Sequence, residues 1–152
     1  MSHTSIERRL HIDASPAVVF DVVSDPAHVR RWWPDEADYP LEPGGAGRIG
    51  FRQGEETIWE RFQVVDAQPG RLFSFRWTQP EGSAAGPGNS FLVVFEIEPD
   101  GDGSLLRMTE TGFDERGWDD ATAAAHHADH VAGWDHFLAR LPAYAASVAV
   151  RR

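Results

Sequence analysis

Residues 109–113, Thr-Glu-Thr-Gly-Phe, close a strand-like run, and one long helical segment carrying His126, His130, Gly133 and Trp134 follows. Asp119 or Asp120 can cap that helix through a side-chain oxygen. Alanine-rich sequence then runs to Leu141, about 33 Å of helix at ~1.5 Å per residue. His126, His130, Trp134, Phe137, Leu138 and Leu141 form its helical stripe. Pro142 is expected to end or kink it. This segment constrains the chain most, because no other element is large enough to cover a sheet with one dry face.

The sheet is predicted upstream. Ile6, Leu10 and Ile12 are the apolar positions of a first strand. Ser15-Pro16 and Asp25-Pro26 each place a capping side chain before a proline at the first helical position, so two short helices follow. The second ends near Trp32-Trp33-Pro34. Leu41 to Gly47 reads as a turn, then Arg48 to Arg52 and Thr57 to Asp66 read as strands. Phe73, Phe75 and Trp77 alternate with Ser74 and Arg76, and Phe91, Val93, Phe95 and Ile97 alternate in the next strand. Asp100-Gly101-Asp102-Gly103 is a hairpin turn. Leu106, Met108 and Glu110 share one face of the last strand. The order predicts an α+β fold with a mostly sequential antiparallel sheet. It shows no internal repeat or linker, so residues 1–152 are expected to form one domain.

Composition narrows the chemistry. The formal charge is −10, which disfavours nucleic acid and anionic membrane as partners. All 14 basic residues counted are arginine, so a lysine Schiff base is excluded. With no cysteine, disulfides and thiolate chemistry are excluded too. Nine Phe and six Trp supply a large core, and a domain of this length buries about 70% of its unfolded surface. The segment from Met1 to Arg9 lacks the apolar stretch of a signal peptide, and no run reaches a membrane span, so a cytoplasmic location is expected.

Several pieces recur together along nearly the whole chain. They are Ser15-Pro16 with Val19-Phe20, Asp25-Pro26 through Trp32-Trp33, Pro43-Gly44-Gly45, Pro69 with Arg71 and Phe73 through Trp77, Thr109 through Phe113, and His130 with Gly133-Trp134. This pattern resembles the helix-grip superfamily of START domains, birch-pollen-allergen-like proteins and polyketide cyclases. Within it, the chain is most similar to the family related to the C-terminal domain of the activator of the Hsp90 ATPase. The resemblance implies a curved antiparallel sheet of six to seven strands wrapped around a long C-terminal helix, two short helices after strand 1, and an apolar cavity. Members of the superfamily include ligand binders, cyclase-like enzymes, resistance proteins and co-chaperone domains. The chain departs from the activator in having no room for its separate N-terminal domain, in lacking lysine, and in carrying Pro142.

Glu110 and His130 are the candidates for chemistry. A carboxylate and an imidazole in one cavity can serve as an acid–base pair, as a cyclase or lyase requires. Glu60, flanked by Ile58 and Phe62 on its strand face, is a second carboxylate of the same kind. His126 and His130 have the i, i+4 spacing of two helical metal ligands, with Glu110 as the candidate third, but the sequence offers no dedicated third and fourth ligand and no metal or cofactor is expected. Arg30-Arg31 beside Trp32-Trp33 mixes basic and aromatic residues, a mixture that the acidic balance turns away from base stacking. Leu41 to Gly47 lacks the Gly-Lys-Ser/Thr of a phosphate loop, and Ser104 and Ser147 lack a nucleophile-elbow context.

The expected function is binding of a small hydrophobic or aromatic molecule between sheet and helix, without catalysis. Trp33, Phe73, Phe75, Trp77, Phe95, Met108, Glu110, His126, His130 and Trp134 are the expected lining. The alternatives are a cyclase or lyase using Glu110 and His130, and a chaperone cofactor acting on an Hsp90-like partner. A homodimer is compatible with the sequence but not demanded by it.

Overall fold

A computed structural model describes residues 4–151. Met1, Ser2 and His3, part of the segment read for a leader, lie outside the described residues. β1 (Ser5–Ile12) leads into α1 (Pro16–Ser24) and α2 (Pro26–Trp32). Then come β2 (Glu36–Asp38), β3 (Ala46–Gln53), β4 (Glu56–Gln68), β5 (Leu72–Trp77), β6 (Phe91–Asp100) and β7 (Gly103–Thr111). α3 (Asp120–Leu138) and α4 (Leu141–Val150) complete the chain.

The helix starts form where the caps stand. Ser15 Oγ accepts from the Val18 amide, Asp25 Oδ1 from Ala27, and Asp119 Oδ1 from Thr122. Asp119, not Asp120, is therefore the cap of α3. Its bond to the Thr122 amide holds its carboxyl below the ordinary range.

All seven strands form one antiparallel sheet in the order β1-β7-β6-β5-β4-β3-β2. Consecutive hairpins give most of this order, and β1 closes it by pairing with β7, Ile6 opposite Glu110. The β6–β7 hairpin pairs Asp100 with Gly103 across Gly101-Asp102, and Gly101 takes the positive φ of +61° that the tight turn requires. The sheet bends at a register shift between Val64 and Asp66 of β4. β2 extends the sequence reading: its three residues, Glu36-Ala37-Asp38, pair with Gly50, Ile49 and Arg48 of β3.

One face of the sheet is dry. Ile49, Phe62, Val64, Phe73, Phe75, Val93, Phe95, Leu106 and Met108 are buried there with the apolar sides of α1 and α2. The C-terminal helix covers the same face but is bent. Pro142 has no amide hydrogen and its ring obstructs the carbonyl four residues earlier, so α3 stops at Leu138 and α4 restarts with the proline in its first turn. α4 then packs against α1 and β1 through Leu141, Ala145 and Val148. The His28 imidazole and the Tyr144 hydroxyl, 2.7 Å apart, tie α2 to α4. No helix among the described residues is long and apolar enough to cross a membrane.

Candidate functional site

Glu110 organises the space under α3. It stands on the inward face of β7 and is fully buried. Its Oε2 accepts the indole N–H of Trp77, from the end of β5, at 2.8 Å. Its Oε1 accepts the indole N–H of Trp134, from α3, at 2.9 Å. The same oxygen lies 2.7 Å from Nδ1 of His130, one helical turn before Trp134. An indole nitrogen can only donate, so both carboxyl oxygens are acceptors. The network therefore assigns the proton of the His130–Glu110 contact to Nδ1. Nε2 is left as the nitrogen with no hydrogen-bond partner among the described residues.

The carboxylate thus fixes two tryptophans and a histidine at once. Trp33, held at the end of α2 before Pro34, completes the wall. Its ring lies 4.9 Å from Trp134, 5.2 Å from Trp77 in an edge contact, and 5.5 Å from Phe75, centroid to centroid. Trp77 in turn lies 5.4 Å from the His130 ring.

A cleft of about 230 Å³ opens between this wall and β3 and β4. Trp33, Phe51, Ile58, Trp77, Trp134 and Phe137 give it an apolar surface, and Glu60, His130 and Asp129 are its titratable groups. Along the inward face of β4 the side chains run from buried Phe62 and Val64 through half-buried Glu60 to exposed Ile58, so Glu60 stands at the mouth. Burial holds the Glu60 carboxyl above the ordinary range, and the nearby His130 pulls it partly back. Drug-sized ligand sites are roughly 300–1,000 Å³, so this cleft suits a small molecule or one end of a larger one.

Gly133 lies on the same cleft, in the middle of α3. A Cβ built there meets nothing within 4 Å, and the backbone is ordinary helix. Glycine costs a helix interior about 0.5–1 kcal/mol relative to alanine. Neither packing nor backbone geometry requires that cost, and its effect is to leave the cleft open.

Two larger hollows lie elsewhere. One, of about 440 Å³, is on the outer face of the sheet among Arg9, Arg71, Arg107 and Glu96. The other, of about 520 Å³, lies beside the start of α3 near Phe113 and Trp118. Neither contains Glu110, His130 or the tryptophan wall.

The structure brings Trp33, Trp77, Glu110, His130 and Trp134 together. The other expected lining residues stand elsewhere. Phe73, Phe75, Phe95 and Met108 are wholly buried in the core beneath the cleft, where the dry face of the sheet is packed. His126 is exposed and stacks on Trp118 at 4.0 Å, because each step of four residues turns a helix by about 40° and two steps carry it off the Trp134 face. The two histidines therefore do not converge, and among the described residues no group of three or more His, Asp or Glu could hold a metal ion. Phe51, Gln53, Ile58, Asp129, Gly133 and Phe137 are the lining the sequence reading left out. The alternation of Ile49 with Phe51 and of Ile58 with Glu60 was the available signal.

The fold and site stand on nearly the whole chain, and so does the family match. The model of one protein family, described as activator of Hsp90 ATPase homolog 1-like protein, matches residues 13–146. The chain belongs to this family. Solved structures agree at the level of the fold. A Nitrosomonas europaea protein superposes with a TM-score of 0.76 at 12% identity, covering 95% of each chain. The Aha1 dimer from Colwellia psychrerythraea gives a TM-score of 0.62 at 20% identity, covering 91% of this chain and 92% of that one. CalU16 from Micromonospora echinospora gives 0.62 at 22% identity, covering 97% and 79%. No curated protein matches the sequence.

Proposed function

We propose that the protein binds a small apolar or aromatic molecule in the cleft between α3 and strands β3 to β5. Proteins of this fold commonly bind hydrophobic ligands. The observation that carries the reading here is Gly133, a helical glycine at the cleft whose place a Cβ could take without meeting any neighbour. The tryptophan wall supplies rigid contact area, because the Glu110 carboxylate pins two of its three rings. His130 Nε2 and Glu60 supply the polar contacts that would orient a ligand.

The test is a thermal-shift screen against fatty acids, aromatic polyketides, sterols and flavonoids, run on the wild type and on Gly133→Leu. A ligand at 100 times its Kd stabilises by about 2.7 kcal/mol, a rise of roughly 5–10 °C for a domain this size. The expected result is a hit on the wild type that Gly133→Leu abolishes while keeping its own transition. Hits that survive the filled cleft place the ligand elsewhere and refute the reading.

The 2.7 Å contact between Glu110 and His130 favours a second reading, acid–base catalysis of the cyclase or lyase type. Glu110 has no exposed surface, so it cannot meet a substrate. In this reading His130 Nε2 takes or gives the proton and Glu110 holds the ring. His130→Gln would then abolish turnover of a substrate found by the screen, and unchanged turnover would exclude it.

A further inference from the structure

The cleft combines an electron-rich aromatic wall with carboxylates and no fixed positive charge. Three tryptophans and two phenylalanines line it. Among the described residues no arginine does, although arginine is the chain's whole basic complement. Its titratable lining is Glu60 at the mouth, Asp129 beside it, and His130. Behind the wall the Glu110 carboxyl takes the Nδ1 side of His130 and both indole N–H groups. Those indole edges, the positive rim of each ring, are thus turned to Glu110, away from any ligand. Trp77 and Trp134 therefore offer a ligand no N–H donor, and of the three wall indoles only that of Trp33 is without a hydrogen-bond partner among the described residues. Ring faces carry negative quadrupole density and attract cations, most strongly when water is excluded. A carboxylate occupant would instead meet Glu60 and Asp129 with no arginine to pair with. Counting His130 as an imidazolium, the three carboxylates still outnumber it. The −10 charge of the whole chain acts in the same sense, gathering cations.

We propose that the ligand of this cleft is a cationic amine with a small apolar or aromatic body, its ammonium held among Trp33, Trp77, Trp134 and the Glu60 carboxylate. The inference rests on the cleft being a binding site, and it specifies the charge of what binds there. The raised protonation range of Glu60, caused by its burial, fits a carboxylate that gains from a cationic partner.

Isothermal calorimetry with three matched probes tests it: benzyltrimethylammonium, its neutral isostere neopentylbenzene, and phenylacetate. The quaternary ammonium has no titratable proton, so its charge is fixed at every pH. The expected result is benzyltrimethylammonium binding at least about tenfold tighter than either other probe, the factor that one desolvated cation–π contact supplies. Glu60→Gln is expected to cut that affinity about tenfold and to shrink the cation-to-neutral ratio, and Gly133→Leu to abolish binding. A circular-dichroism melt of each variant confirms that it folds. Neopentylbenzene binding as tightly as the cation, or phenylacetate binding tightest, would overturn the cationic assignment while leaving the apolar-ligand reading standing. No binding by any probe, with a ligand found in the wider screen that is neutral or anionic, would overturn it as well. No ligand in either experiment would remove both.

Discussion

Glu110→Leu isolates the contribution of the buried hub. The side chain is similar in bulk and loses both acceptors. The indole N–H groups of Trp77 and Trp134 then have no partner, and those residues are 9% and 3% exposed, so water cannot replace the carboxylate. An orphaned buried donor costs about 1–3 kcal/mol, so the two indoles together cost about 2–6 kcal/mol. Relief of the carboxylate's own desolvation pulls the result toward the lower end. His130, with 14% of its side chain exposed, can turn toward water and adds less. In urea, with m of about 2 kcal/mol/M, the midpoint falls by about 1–3 M at constant m. A double-mutant cycle sharpens the test. Trp134→Phe removes one of the stranded donors, so it costs less in the Glu110→Leu background than in the wild type, with a coupling of about 0.5–3 kcal/mol. A Glu110→Leu variant as stable as the wild type, or additive single-variant costs, would refute the hub.

Other expectations follow from the same geometry. Gly133→Ala stabilises the protein by about 0.5–1 kcal/mol, because it adds helix propensity and meets no neighbour; a loss of stability in the melt would mean that the cleft is tighter than described. Gly47→Ala does the opposite, since its Cβ would stand 2.0 Å from the Asp38 carbonyl oxygen, and overpacking costs about 1–3 kcal/mol; an unchanged urea midpoint contradicts the β2–β3 pairing. His11 lies between Asp100 and Asp13 at 2.9 and 3.0 Å, and those partners raise its pKa above the ordinary value of about 6.5. Its contribution to stability is fully present below about pH 6.5 and fades as pH rises through the raised value. His11→Asn is therefore more destabilising at pH 5.5 than at pH 8.5, and the reverse order in paired melts would sink the assignment.

Much of the fold was legible in the chain because its signals are local. Ser15, Asp25 and Asp119 cap helices wherever they stand before a helical run, and the alternation of Phe73, Phe75 and Trp77 marks a strand by itself. Glu110 and His130 could be paired from sequence because each is a polar residue on an otherwise apolar inward face. β2 was not legible, since Glu36-Ala37-Asp38 has neither length nor alternation and exists only because β3 offers an edge. Nor could sequence separate Phe75, in the core, from Phe51, on the cleft, because both are aromatic residues on inward strand faces. His126 turns outward because two steps of four residues rotate it about 80° from Trp134, a drift that grouping residues by i, i+4 spacing passes over.

Binding of ligand against the Glu110-pinned tryptophan wall can be watched at the indoles themselves. The direct measurement is a titration of ¹⁵N-labelled protein with benzyltrimethylammonium, followed at the six tryptophan indole N–H resonances. Trp59, on the outer face under Arg48, and Trp118, stacked on His126, serve as internal controls. Saturable shifts are expected at Trp33, Trp77 and Trp134 with Trp59 and Trp118 unmoved. Shifts confined to Trp59 or Trp118, with the wall silent at saturation, would contradict it.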